Sequence, residues 1–289
     1  MFMRPDEHII IMDQGYNLLM PDELAMLRDA GIQTVYFQGG VSWYNIQPRP
    51  GVWHFEDLDA RMLEYERAGL KVLIGFLSTM PYWKPWEWYF NRDGRGIMSY
   101  TNPEAAADID DLGYLLIHRY KGMGAQLVYA MPADGEFPMA YFPGGGRLPV
   151  SDMDLAAWVI DRQRQLEAQY GEIWSAFHFS CFPTYIGPTL EELTKAYPDS
   201  AHYSLQYTYW QHPYNVHDAV QAIQKMYGVK YYVGSEYIQG MQQVTTHAIN
   251  HGVRLITSPI HSYQEHRRVE PWMLDVIKDT LRQYEEATG

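Results

Sequence analysis

Short apolar runs rich in β-branched and aromatic residues alternate along the whole chain with segments whose apolar positions recur every three to four residues. The first pattern is that of strands, the second that of helices packed on one side. A strand predicted at 8–13 precedes a helix at 21–30, where Pro21 suits the first helical position and Gly31 the residue just past the end. A strand at 34–38, a helix at 58–68 stopped by Gly69 and a strand at 71–77 follow. A long aromatic loop, 80–101, leads to a helix at 103–120, a strand at 125–131, a second long loop at 132–150 and a helix at about 151–170. The second half repeats the alternation: strand 173–179 with helix 190–196, strand 202–207 with helix 216–226, strand 230–234 with helix 241–250, and strand 254–257 with helix 272–286.

Eight strand–helix units in 289 residues, with no Ser- or Pro-rich linker between them, predict the α/β class and a single-domain (β/α)8 TIM barrel over 1–289. A doubly wound open sheet needs a glycine-rich phosphate loop after its first strand, and Asp13-Gln14-Gly15-Tyr16-Asn17 is not one. In a barrel the chemistry sits at the carboxyl ends of the strands. The residues leaving the predicted strands are Gln14, Gln38 with Trp43, Thr79 with Trp83, and Asp134 with Glu136; then His178, Tyr207 to Trp210, Glu236 and His261.

Composition narrows the partners. The 35 acidic against 22 basic residues give a net charge of −13, which argues against nucleic acid or an anionic membrane surface. A single cysteine, Cys181, excludes an intrachain disulfide and a cysteine zinc cluster. No apolar run is long enough for a membrane span or an export signal, so the expectation is a cytoplasmic protein, or a secreted one if an export segment precedes the chain. Aromatic residues are 15% of the chain, with 24 Tyr and 9 Trp, whose apolar faces and polar edges suit both sugar rings and a tyrosine-rich core.

Two glutamates stand out among the strand-end residues. Glu136 follows the fourth predicted strand in Asp134-Gly135-Glu136-Phe137, and Glu236 follows the seventh in Gly234-Ser235-Glu236-Tyr237. Strands four and seven lie on opposing sides of a barrel mouth, where two carboxyls can face one substrate. Glycosidic cleavage needs that pair: one acid protonates the leaving oxygen, the other attacks the anomeric carbon or activates water. A lone glutamate after a strand is more often a cap neighbour or an ion-pair partner; two at these strand ends, among Phe137, Tyr141, Tyr232 and Tyr237, point to catalysis.

The stretch from Ala30 to Trp83 contains Ala-Gly-Ile, Trp43, Pro48, Gly51-Val52-Trp53-His54-Phe55, Leu58-Asp59, Ala68-Gly69-Leu70-Lys71-Val72 and Pro81-Tyr82-Trp83. It resembles the second and third units of clan A glycoside hydrolases, especially family 42 β-galactosidases and the related β-amylases. The resemblance implies Glu136 as acid/base and Glu236 as nucleophile. Gly135 stands where the clan usually has Asn, and Ala133-Asp134-Gly135-Glu136 is closer to the β-amylase motif, whose enzymes invert. Gln38 stands where the clan has an arginine, and Ser258-Pro259-Ile260-His261 where it has a tryptophan. Retention is favoured from the clan, with inversion as the alternative.

The sugar site is expected from Gln38, Trp43, Trp83, Trp86, Asp134, His178, Tyr207, Tyr209, Trp210 and His261, acting on an oligo- or polysaccharide. Trp83, Trp86 and Trp88 crowd one loop, which reads either as a stacking wall or as a contact between copies in a homo-oligomer. His247 and His251 have the spacing of a zinc pair, but no glutamate lies between them and their helix belongs to the outer ring, so no metal is expected. Neither Ser180-Cys181 nor Gly234-Ser235 has the surroundings of an acyl-transfer nucleophile. No cofactor is expected. The alternatives are a barrel that binds polysaccharide without cutting it and a transglycosylase acting in glycan assembly.

Overall fold

The computed structural model describes residues 10–14, 18–77, 81, 83–85, 89–92, 95–98, 102–121, 125–128, 168, 177–179, 203–207, 231–235, 255–259 and 268–288. Strand β1 (Ile10–Gln14) is followed by helix α1 (Pro21–Asp29). Pro21 opens the helix, the Glu23 carboxylate accepts from the Met20 amide at 2.7 Å, and Asp22 and Glu23 put negative charge at the positive end of the helix dipole. The helix stops at Gly31, whose φ of 104° continues no helix; its amide bonds to the Arg28 carbonyl and that of Ile32 to the Leu27 carbonyl.

Strand β2 (Thr34–Ser42) runs into the short helix α2 (Trp43–Ile46) and, beyond a turn, helix α3 (Glu56–Arg67). The end of α3 repeats that of α1: Gly69 at φ 71°, bonded to Glu66, with the Leu70 amide on Tyr65. The apolar residue after each glycine, Ile32 or Leu70, is buried, so each motif ends a helix and starts the next core strand together. Strand β3 (Lys71–Leu77) has the predicted boundaries, as does α4 (Pro103–Tyr120), whose cap Asn102 accepts from the Glu104 and Ala105 amides.

The predicted loop 80–101 is not wholly irregular. It contains an antiparallel hairpin, β4 (Tyr89–Arg92) with β5 (Arg95–Met98). Strand β2 is also longer than expected, because Gln38-Gly39-Gly40 forms a bulge: Phe37 pairs with Ile74, and pairing resumes only at Val41 with Phe76. The predicted strand at 34–38 therefore ends where the bulge begins, and Trp43 opens α2.

The remaining strands are β6 (Ala125–Val128), β7 (Phe177–Phe179), β8 (Tyr203–Tyr207), β9 (Tyr231–Ser235) and β10 (Leu255–Pro259), ahead of helix α5 (Pro271–Thr288). With β1–β3 they form one eight-stranded sheet in the order β6-β3-β2-β1-β10-β9-β8-β7, every pairing parallel. The first strand lies against the last, and all eight carboxyl ends share one edge. Alternate positions Ile11, Asp13, Val35, Phe37, Val72 and Ile74 are buried on the helix-facing side, where Phe37 meets Tyr65 of α3 edge-on at 5.9 Å. The helices answer with buried stripes, Leu58, Met62 and Tyr65 on α3, Leu112, Leu116 and Tyr120 on α4, and Met273, Ile277 and Thr280 on α5. The helices expected at 151–170, 190–196, 216–226 and 241–250 lie outside the described residues. Among those described, no helix is long and apolar enough to cross a membrane.

Candidate active site

The carboxyl edge of the sheet brings several predicted residues into line. Gln14 ends β1 and is the register partner of Gln38 at the start of the β2 bulge. Tyr207 ends β8 opposite Ser235, the last residue of β9, so Glu236 is the next residue in the chain after that shared edge. His178 is the middle residue of β7. Trp86, Asp134, Glu136, Tyr209, Trp210, Glu236 and His261 lie outside the described residues.

The loops leaving β2 and β3 are joined by side chains. Trp43 is 2% exposed, and its indole Nε1 donates to the Gln47 side-chain oxygen at 3.0 Å. Trp83, half-buried, donates its Nε1 to the Gln47 backbone carbonyl at 2.8 Å. Between the two rings stands the Lys84 ammonium, 5.2 Å from the centroid of Trp43 and 4.6 Å from that of Trp83, paired with Asp108 of α4. Both tryptophans therefore have their indole N–H groups and part of their ring faces engaged within the protein. Gln47, Lys84 and Asp108 were absent from the predicted set, because their roles arise only from the meeting of two loops and a helix.

Beneath the edge sits a second cluster, also missed. The Asp13 carboxylate, 1% exposed, accepts from the Leu19 amide at 3.1 Å, from the Tyr65 hydroxyl at 2.5 Å and from the Arg61 guanidinium. Arg61 is held in turn by the Tyr65 oxygen at 2.9 Å and Glu64 at 2.6 Å. Burial pushes the Asp13 carboxyl above its ordinary range, opposed by Arg61, Tyr65 and the Leu19 amide. Burial, with the neighbouring Asp13 charge, raises the Tyr65 phenol well above its usual value. Three donors cap this carboxylate, so its work is mechanical: it ties β1 and the Leu19 amide ahead of α1 to α3.

Residues 11–85, which include both clusters except Asp108, match the sequence profile of glycoside hydrolase family 42, described as beta-galactosidase. The chain resembles the clan A glycoside hydrolases. Its fold is similar to that of a β-galactosidase from the psychrophilic Marinomonas ef1, with a TM-score of 0.67 at 12% identity over 96% of this chain and 59% of that one. A catalytic mutant of a family 42 β-galactosidase from G. stearothermophilus gives a TM-score of 0.62 at 14% identity, over 98% of this chain and 57% of that one. A psychrophilic family 10 endo-β-1,4-xylanase gives 0.62 at 12% identity, over 94% of this chain and 96% of that one. The chain thus spans less than two thirds of the two β-galactosidases and nearly the whole of the clan A xylanase. No curated protein matches it in sequence.

Proposed function

We propose that the chain is a cofactor-independent glycoside hydrolase on a single (β/α)8 barrel, cutting β-linked oligo- or polysaccharide with Glu136 as acid/base and Glu236 as nucleophile or base. The observation that carries this is the strand order. β6 and β7 stand at the two ends of that order; their pairing would close the eight strands into a ring, in which β6 and β9 would stand three strands apart and face one another across the mouth. Glu136 follows β6 and Glu236 follows β9 in the chain. In such a mouth one carboxylic acid protonates the glycosidic oxygen while the other takes the anomeric carbon from the opposite side. The acid is kept protonated near neutrality by apolar and aromatic surroundings. Gln38, Trp83, Trp86, Asp134, His178, Tyr207, Tyr209, Trp210 and His261 supply hydroxyl contacts and stacking; Trp43, expected among them, is buried with its indole N–H bonded to Gln47 and supports the loop instead. The family 42 match over 11–85 and the likeness to clan A folds support the class; retention follows from the clan.

The test is the rate on a panel of aryl β-glycosides and plant-type polysaccharides. Glu136→Gln lowers the rate by roughly 10²–10⁴ through the lost proton transfer. The same loss is expected of Glu236→Gln, with azide restoring turnover only when that residue is replaced by a small one. Wild-type rates in both variants overturn the assignment. Gly135 in place of the clan's Asn favours one rival, a barrel that binds glycan without cutting it; calorimetric binding with no product formed establishes that rival instead.

A further inference from the structure

The excursion that leaves β3 and returns at α4 begins and ends at fixed points. Lys84 lies at its start, just before Pro85; the hairpin β4–β5 lies within it; Asn102 caps α4 at its end. Asp108 is on the second turn of α4, beyond the return. The Lys84–Asp108 ion pair therefore closes the stem of the excursion by linking the turn leading out to the helix leading back. The same ammonium is held between the rings of Trp43 and Trp83, and both indoles are fixed by Gln47. The lysine side chain is only 10% exposed and that of Asp108 31%, so water screens the pair weakly.

The geometry points to Lys84 as a positioning residue: its ammonium, stapling Asp108 to the Trp43–Trp83 pair, holds the β4–β5 hairpin in register with the loop after β2 at the carboxyl edge of the sheet. Lysine serves here because a single point charge can lie against two π faces and still reach a carboxylate. Its removal leaves Asp108 without this cation and Trp83 without its packing partner, and the hairpin then hangs from an unclosed stem whose ends wander. For a glycan lying along that edge, ordering the hairpin becomes part of the binding step, which raises KM without touching the bond-breaking groups. The kinetic consequence rests on the glycosidase reading; the mechanical one does not.

The experiment compares wild type, Lys84→Met, Lys84→Arg and Asp108→Asn as full chains. Hydrogen exchange of the ligand-free protein is expected to quicken by roughly tenfold at 89–98 in Lys84→Met and Asp108→Asn, the scale of one ordering interaction lost. Exchange in β1 and α1 stays unchanged, and Lys84→Arg, which keeps the charge and the ring contact, restores protection. In the kinetic arm, Lys84→Met raises KM for an oligosaccharide by a similar factor, while kcat on an aryl monoglycoside stays within about twofold. Unchanged exchange at 89–98, or an equal rise throughout the sheet, overturns the staple. If wild type cuts no glycoside, the glycosidase reading falls and the exchange result alone decides the role of Lys84.

Discussion

Replacing Asp13 by Asn isolates one buried charge with little change in shape. Asp13 is 1% exposed, and the Arg61 side chain that faces it is 7% exposed, so neither group regains water when the other is removed. Breaking such a pair from one side costs about 3–5 kcal/mol, because the remaining charge stays buried without its partner. For a chain of this length that corresponds to a fall in Tm on the order of 5–15 °C. The two halves of the pair differ in a way that pH reveals. Arg61 cannot shed its proton, so lowering the pH from about 8 to about 5 brings Asp13→Asn no relief. In Arg61→Met the stranded group is Asp13, whose carboxyl burial already holds above its ordinary value. A carboxyl whose pKa is higher folded than unfolded binds its proton more tightly in the native state. Its contribution is greatest at low pH and is lost as pH rises through the folded pKa. The cost of Arg61→Met therefore shrinks from about pH 8 to about pH 5, and that of Asp13→Asn does not. Thermal and urea denaturation at both values, with the double variant Asp13→Asn/Arg61→Met, complete the cycle. The double variant is expected to lose less than either single one. Equal pH dependence of the two single variants, or simple additivity in the double, refutes the reasoning.

Two further perturbations test the helix packing. Thr280 is fully buried on α5, and its hydroxyl has no hydrogen-bond partner among the described residues, so Thr280→Val is expected to stabilise by about 1 kcal/mol in urea denaturation; a loss of stability contradicts the packing of α5. At Gly31, with φ of 104°, an added Cβ meets Leu281 Cδ1 at 2.9 Å, whereas at Gly51, with φ of 70°, it meets nothing within 4 Å. Gly51→Ala should cost about 1 kcal/mol from backbone strain alone and Gly31→Ala distinctly more. Equal losses show that the contact with α5 is immaterial.

What could be read from the chain depended on how local the signal was. The boundaries of β3 and α4 followed from an apolar run and from the helical run after Pro103, and the ends of α1 and α3 from Gly31 and Gly69. The β4–β5 hairpin was overlooked because its strands are only four residues each, too short for an alternating pattern to show; Asp93-Gly94 between them is the turn signal that was there to be used. The bulge in β2 was foreshadowed by Gly39-Gly40 interrupting a strand pattern. The Asp13–Arg61–Tyr65 and Lys84–Asp108 networks had no such local mark, since each joins residues from separate elements and depends on the sheet order to bring them together. Trp43 and Trp83 were chosen from residue type and strand-end position, which identify the loops that meet there but not the indole bonds to Gln47 that fix both rings.

The separation of the Glu136 and Glu236 carboxyl groups in a crystal structure tests the central claim most directly. Both are expected to open into one cleft at the carboxyl edge of the sheet, about 5–5.5 Å apart for retention, with roughly 6.5–9.5 Å turning the stereochemistry to inversion. Carboxyls that share no cleft contradict it, whatever the fold around them.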